Sequence, residues 1–424
     1  MPKSVPALRK ERLFADLGYS PHQGQLEIHR SSARRRVVAC GVRWGKTLAS
    51  AMEALCAALE PKERSVGWVV APTYDLADRV FREIQFFALK SIKHRIVTMK
   101  DNDRRLVIRN LAGGLSEIRG KSADNPVSLL GEGLDWVIVD EAARLKPSIW
   151  QSHISQRLID KAGWALLIST PKGKGYFYDL FRAGQRPNND IKSWNYPSWT
   201  NPLLDKDLIE AERAKLPTRV FSQEYGAEFM EGAGAVFRNV RDCASGLWQE
   251  PKRGERYYGG LDLAKVEDFT VLVIVNADAE VVFVDRFHRV DWTTQVTRIE
   301  AAARRYWNAE ISVDVTGVGD PIFESLEKIG LRVNAYPFTA RSKAALVDNL
   351  VLMLEQQKIA LPSPQIWPDG IDELEAFEFS VSENGHVRTG APGGMHNDCV
   401  MALALAAWEV RPSRNFGGWT VENY

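Results

Sequence analysis

The feature that most constrains the fold is local: residues 37–47, VVACGVRWGKT, run into a helical stretch, KTLASAMEALCAALE. A short apolar run, a glycine-containing loop and a helix start follow one another without a break. Such a turn gathers backbone N–H groups at a helix N-terminus, where they attract anions. It is also one unit of an α/β layer structure. More apolar runs follow, SVGWVVAP (65–72), LDWVIVDE (134–141) and WALLIST (164–170), with helix-like segments between them, one from Tyr74 to Leu89. Apolar runs this short, separated by helices, predict a mostly parallel sheet covered on both faces. RRLVIRN and SEIRG read as an inserted antiparallel pair.

The pattern then changes. From Lys172 to Met230 aromatics become frequent and no clear strand is visible, which predicts a small helical lid subdomain. Residues 231–255, rich in glycine and charge, read as a linker. RYYGGLDLA, FTVLVIV and VVFVDRFHRV then come in close succession, as an antiparallel meander requires. A helix around 293–308, a strand ISVDVTG (311–317) and further helices and strands follow. The expected division is an α/β core at 1–180, a lid at 181–234, a linker at 235–254 and a mixed-sheet domain at 255–424.

The 424 residues carry 55 Lys plus Arg against 54 Asp plus Glu, a net charge of +1. That near-neutrality argues against a nucleic-acid partner only while it is averaged. Before Gly234 there are 36 basic and 27 acidic residues, net +9; from there on, 19 and 27, net −8. Cys40, Cys56, Cys243 and Cys399 show no paired spacing, so neither a zinc site nor a disulfide framework is expected. The N-terminus lacks a signal-peptide core, and Cys399 to Trp408 is too short to span a bilayer. A soluble intracellular protein without a membrane partner is the expectation.

Gly45, Lys46 and Thr47 fill the last places of G-x-x-x-x-G-K-[ST], a loop whose lysine reaches phosphates and whose hydroxyl holds Mg²⁺. Cys40 stands at the first glycine, with Gly41 one step later. LDWVIVDE, about 90 residues on, ends in Asp140, expected to hold Mg²⁺, and Glu141, expected to polarise the attacking water. Together they predict an ATPase. Arg43 is a candidate arginine finger, Gln25 a reader of the adenine edge, and Ser169-Thr170-Pro171 a γ-phosphate sensor. Arg34-Arg35-Arg36 and Arg104-Arg105 are candidate DNA grips, though for each run a solvated basic face is the simpler reading.

In the second half, Asp262 and Asp314 sit in apolar strands and Asp398 opens the last helix. A carboxylate on a buried strand is costly unless paired or metal-bound. Asp262, Asp314 and Asp398 therefore predict a site for two divalent cations that cleaves phosphodiesters. As the bland alternative, Asp398 is a helix cap. Asp268 and Asp320 are candidate auxiliaries, and His396 and Lys343 candidate phosphate contacts.

In order, GVRWGKT, WVIVDEAA, LLISTPKGKGYFYDLF, FSQEYGAEF, GGLDLAKVEDFT, ISVDVTGVGD and HNDCVMALALA resemble the large terminase subunit of tailed double-stranded DNA bacteriophages. The resemblance implies a RecA/ASCE-like P-loop ATPase followed by an RNase H-like nuclease. It implies ATP with Mg²⁺ at the first site, at Thr47 and Asp140, and two Mg²⁺ or Mn²⁺ at the second. The implied activity is DNA packaging into a procapsid with cutting of concatemeric DNA. The implied partners are double-stranded DNA, a small terminase subunit and the portal, in a pentamer on the portal or a monomer in isolation, within the host cytoplasm. The competing readings are a helicase-like or repair ATPase fused to a resolvase-type nuclease, and a remnant that only binds DNA. A helicase should show a second RecA-like domain.

Overall fold

The computed structural model describes residues 10–187, 190–230, 234–263, 269–316, 319–381, 387–390 and 396–410. They form two compact units, the first mainly up to residue 214 with 219–231, the second mainly from 232 onward.

The first unit is built on an eight-stranded sheet. Its strands are β1 (Arg35–Cys40), β2 (Arg64–Ala71), β3 (Ile96–Lys100), β4 (Arg105–Arg109), β5 (Leu115–Ser122), β6 (Trp136–Asp140), β7 (Trp164–Ser169) and β8 (Ile191–Tyr196). Their order is β3-β4-β5-β2-β6-β7-β1-β8. The strands read as parallel are parallel, and β4 runs antiparallel to both β3 and β5, as the inserted pair requires. Helices α1 (Lys10–Leu17), α2 (Gln23–Arg30), α3 (Lys46–Leu59), α4 (Tyr74–Ser91) and α5 (Tyr176–Gly184) accompany it. Helix α3 is buried on almost every side, which its run of alanines permits.

Two expectations fail here. The stretch 172–230, which shows no clear strand in the sequence, contains β8, paired in parallel with β1. IKSWNY escapes the apolar criterion because an edge strand is only half covered: Lys192 and Asn195 face out while Ile191, Ser193 and Trp194 are buried. The solvated basic face read for the triple is not met at Arg34 and Arg36 either. Arg36 is buried, and Arg34 donates to the carbonyls of Gly163 and Leu158. Arg104 and Arg105 pair with Asp78 and Glu117.

Arg36 belongs to a buried network. Glu53 of α3 is fully buried and takes Lys10 at 2.9 Å, His29 Nδ1 at 2.7 Å and Arg36 at 2.9 Å. Tyr19 completes it, its hydroxyl 3.1 Å from His29 Nε2. A neutral His29 with its proton on Nδ1 satisfies both contacts. Burial opposes the Glu53 charge, but Arg36 and Lys10 outweigh it and hold the carboxyl far below the usual range. Glu53→Ala leaves these cations buried without a partner and is expected to cost roughly 3–5 kcal/mol of stability in denaturant melts. A loss below about 1 kcal/mol contradicts the network. The pH sign follows from the same groups. Burial lowers the His29 pKa, so the folded chain binds fewer protons than the unfolded one. Its contribution is complete above about pH 6.5 and shrinks as pH falls, and that of Glu53 shrinks below about pH 4.3.

The second unit starts earlier than the expected linker allows. Strands β9 (Gly234–Ala235) and β10 (Ala244–Gly246) pair within it, and Val236, Phe237, Val240 and Cys243 lie in its core. Apolar residues scattered among Arg238, Arg241 and Asp242 hide this from a composition reading. Its main sheet holds β11 (Tyr257–Asp262), β12 (Thr270–Asn276), β13 (Val281–Phe287), β14 (Glu310–Asp314) and β15 (Val333–Tyr336), ordered β13-β12-β11-β14-β15. The first three form the expected antiparallel meander; β14 and β15 are parallel to β11. Helices α6 (Lys206–Arg213) and α7 (Thr218–Glu224) precede this sheet in the chain, and after α8 (Trp292–Arg305) come α9 (Gly319–Lys328), α10 (Ala340–Glu355), α11 (Pro368–Ala376) and α12 (Asp398–Glu409). Gly260 lets α12 lie directly on β11, since a Cβ there would stand 2.0 Å from the Ala402 carbonyl.

Candidate functional sites

The first site forms where β1, β7 and β6 end side by side. Ala39 is paired with Ser169, and Ile168 with Asp140, so the P-loop, Thr170 and Glu141 emerge from one edge of the sheet. Lys46 Nζ donates to Thr170 Oγ1 at 2.7 Å and stands 3.5 Å from Glu141 Oε1. Burial works against its charge, but Cys40, Glu141 and Asp140 outweigh it and hold its pKa above that of ordinary lysine. Three elements predicted separately therefore meet at one ammonium group.

The loop itself is held from outside. Ser198 donates to the Val42 carbonyl at 2.6 Å, Asn201 to that of Arg43 at 3.0 Å, and Gln25 to that of Gly45 at 3.2 Å. His22 Nε2 lies 3.1 Å from the Trp44 carbonyl. Four successive carbonyls are thus turned outward, away from the phosphate position, while the Val42 and Trp44 N–H groups close onto the Glu224 and Gly41 carbonyls at 2.7 Å and 3.4 Å. Gly41 is required, because a Cβ would meet Ser198 Oγ at 2.3 Å and the Tyr225 carbonyl at 2.5 Å. Gly45 has φ +103°. Cys40 ends a buried strand, so the glycine turn lies one residue later than the motif's first place.

Gln25 is buried, and its carboxamide also accepts from His22 N at 3.2 Å. It retains one N–H and one lone pair for a base. Its observed part is to brace the loop. Arg43 is exposed, with φ +59°, and Glu141 has φ +49°. Left-handed conformations at two non-glycine residues of one site are strain of the kind that collects at functional centres. Asp140 is buried; burial, then Glu141, pushes its carboxyl up to about 7, and its Oδ1 has no hydrogen-bond partner. An unpartnered buried carboxylate oxygen close to the Lys46 charge at the end of β6 fits a divalent cation.

In the second unit, Asp262 and Asp314 end adjacent parallel strands whose preceding residues, Leu261 and Val313, are paired. Asp398 opens α12 with Asn397, not itself, at the N-cap position, and its Oδ2 accepts from Phe269 N at 3.1 Å. Burial first, then Asp398 and Asp314, push the Asp262 carboxyl up to about 8. Asp262 and Asp314 lie at the same ends of adjacent strands and the first turns of α12 pack on β11, which brings the three carboxyls to one corner of the sheet. Among the described residues no three acidic, histidine or cysteine side chains are drawn together to metal-ligating distance. A buried Asp262 carboxyl repelled by two neighbouring carboxylates nonetheless fits divalent ions, whose charge would relieve the repulsion.

Lys343 of α10 is exposed, its ammonium 4.7 Å over the Phe338 ring, and it favours the Asp262 charge. His396 Nδ1 stands 3.6 Å from Asp398 Oδ2. Asp268 lies outside the described residues, and of Asp320 only its place in α9 is described. No second parallel sheet of the P-loop type is present among the described residues, which removes the main support for a helicase-like reading.

Residues 38–241 match the family "Terminase large subunit, T4likevirus-type, N-terminal", and residues 259–407 match "Terminase RNaseH-like domain". The large terminase subunit of Thermus virus P23-45 is 35% identical over 437 residues, covering 93% of this chain and 89% of the relative. The solved structure of a large terminase from another thermophilic bacteriophage shares the fold at 13% identity, over 91% of this chain and 98% of that one, with a TM-score of 0.56. The magnesium-bound large terminase nuclease of thermophilic phage G20c is 28% identical, over 41% of this chain and 97% of that one, with a TM-score of 0.39. Among the described residues no helix is long and apolar enough to cross a membrane. A P-loop unit followed by an RNase H-like unit, matched along nearly the whole chain, places this protein in the large terminase subunit family.

Proposed function

We infer that the chain is a viral DNA-packaging ATPase and endonuclease acting on double-stranded DNA. The convergence of Lys46, Thr170 and Glu141 at the ends of three adjacent strands carries the motor half of this reading. Lys46 binds the β- and γ-phosphates of ATP and leaves Glu141, which then orients the attacking water. Thr47 and Asp140 hold Mg²⁺. Thr170, released from Lys46, is placed to register the γ-phosphate, Arg43 to neutralise charge in the transition state, and Gln25 to offer the adenine edge its remaining N–H and lone pair. In the second unit Asp262, Asp314 and Asp398 hold two Mg²⁺ or Mn²⁺. Such ions supply an activated water and neutralise the leaving oxygen. A small terminase subunit, the portal of the procapsid, a pentamer on that portal and the host cytoplasm complete the proposed setting.

The test is an ATPase assay beside plasmid cleavage with Mg²⁺ or Mn²⁺ on one sample. Both activities are expected, and absence of either overturns the corresponding half.

The raised Asp262 carboxyl adds a pH prediction. Divalent cations must displace its proton, so Mn²⁺ binding measured by calorimetry is expected to tighten between about pH 6.5 and 8.5, by up to about tenfold per unit. Without metal the sign reverses. The folded chain binds the extra proton, so this group's contribution to stability falls as pH rises through about 8. An Mn²⁺ affinity that does not change with pH contradicts the assignment.

A further inference from the structure

Glu373, on α11, is a buried carboxylate that none of the roles above uses. Its Oε2 accepts the backbone N–H of Cys399 at 2.8 Å, in the first turn of α12 immediately after Asp398. Its Oε1 makes no hydrogen bond and stands 3.6 Å from the Arg286 guanidinium. Arg286 in turn lies over the Phe269 ring at 3.4 Å, and the rings of His288 and His396 meet the same ring edge-on at 4.6 Å and 5.1 Å. Phe269 gives its backbone N–H to Asp398 Oδ2. The contacts close a circuit: Glu373 fixes the backbone behind Asp398, Phe269 fixes its side chain, and Arg286 joins the two.

We propose that Glu373 and Arg286 are positioning residues that fix Asp398 for divalent-cation binding, through the Cys399 N–H on one side and Phe269 on the other. The proposal rests on the nuclease reading of Asp262, Asp314 and Asp398. A carboxylate that orients a ligand without touching the ion belongs to the outer shell of a metal site, where substitutions typically cost about 10–100-fold in affinity. Arg286 is a sound tether for a buried face because its guanidinium is planar, always charged and stacks on aromatic rings.

The test is Mn²⁺ binding to the full chain, measured calorimetrically without DNA, with ATPase activity as a check on folding of the first unit and circular dichroism on the whole. Glu373→Ala is expected to weaken Mn²⁺ binding by roughly 10–100-fold. Glu373→Gln, whose amide oxygen still accepts the Cys399 N–H, is expected to stay close to wild type. Arg286→Met is expected to weaken binding without touching that hydrogen bond. If Glu373→Ala fails to fold, Arg286→Met decides the matter. Wild-type affinity in Glu373→Ala or Arg286→Met, or a Gln variant as weak as the Ala variant, overturns the proposal. An Asp398→Asn control separates the two failures. Its wild-type affinity would remove the nuclease site itself, whereas its loss beside an unaffected Glu373→Ala removes only the positioning role.

Discussion

Replacing Lys46 by alanine is expected to lower ATP turnover by roughly 10²–10³-fold while plasmid cleavage with Mn²⁺ persists. The magnitude is that of removing one preorganised donor from developing charge in a site shielded from water. Lys46 is mostly buried and already hydrogen-bonded to Thr170, so little reorganisation separates its present position from the phosphate-binding one. Glu141→Ala removes the group that orients water and is expected to cost roughly 10²–10⁴-fold, with ATP binding retained. The two variants differ in a useful way. Lys46→Ala should weaken nucleotide binding as well as turnover, whereas Glu141→Ala should leave the affinity near wild type. Normal turnover in either would remove the motor assignment.

Asp262→Ala is expected to abolish DNA cleavage and leave ATP hydrolysis unchanged. The Asp262 carboxyl is pushed up by burial first and then by the charges of Asp398 and Asp314, so it feels both of the other carboxylates. Without divalent cations, the same substitution should stabilise the second unit at alkaline pH, because it removes a charge that burial disfavours. Loss of cutting together with higher metal-free stability is hard to obtain from a purely structural aspartate. A variant that still nicks plasmid would show that the metal argument is wrong.

Much of both sites is legible in the sequence, for a physical reason. Strands buried on both faces carry long apolar runs, and a charged residue ending such a run stands out, as Asp140 and Asp314 do. The sequence also places Lys46 correctly, since a glycine turn between a strand and a helix has few solutions. What stays hidden is half-buried or purely polar. β8 alternates burial and so lacks an apolar run. The residues that turn the P-loop carbonyls outward include Ser198 and Asn201, more than 150 positions from the loop, and nothing in SWTN marks them. Glu373, in PDGIDELEA, reads as an ordinary surface helix glutamate until the packing shows it buried behind Asp398.

The charge split reads differently against the two sites. The basic excess of the first half is partly consumed internally, by Glu53, Asp78 and Glu117. In the second half, Asp262, Asp314, Asp398 and Glu373 account for part of the acidic excess.

An anomalous difference map from crystals soaked in Mn²⁺ with a non-hydrolysable ATP analogue would locate both metal sites at once. One peak is expected beside Thr47 and Asp140 and at least one among Asp262, Asp314 and Asp398, at about 2.0–2.2 Å from their oxygens. Peaks confined to other surface carboxylates, with both corners empty, would contradict both assignments.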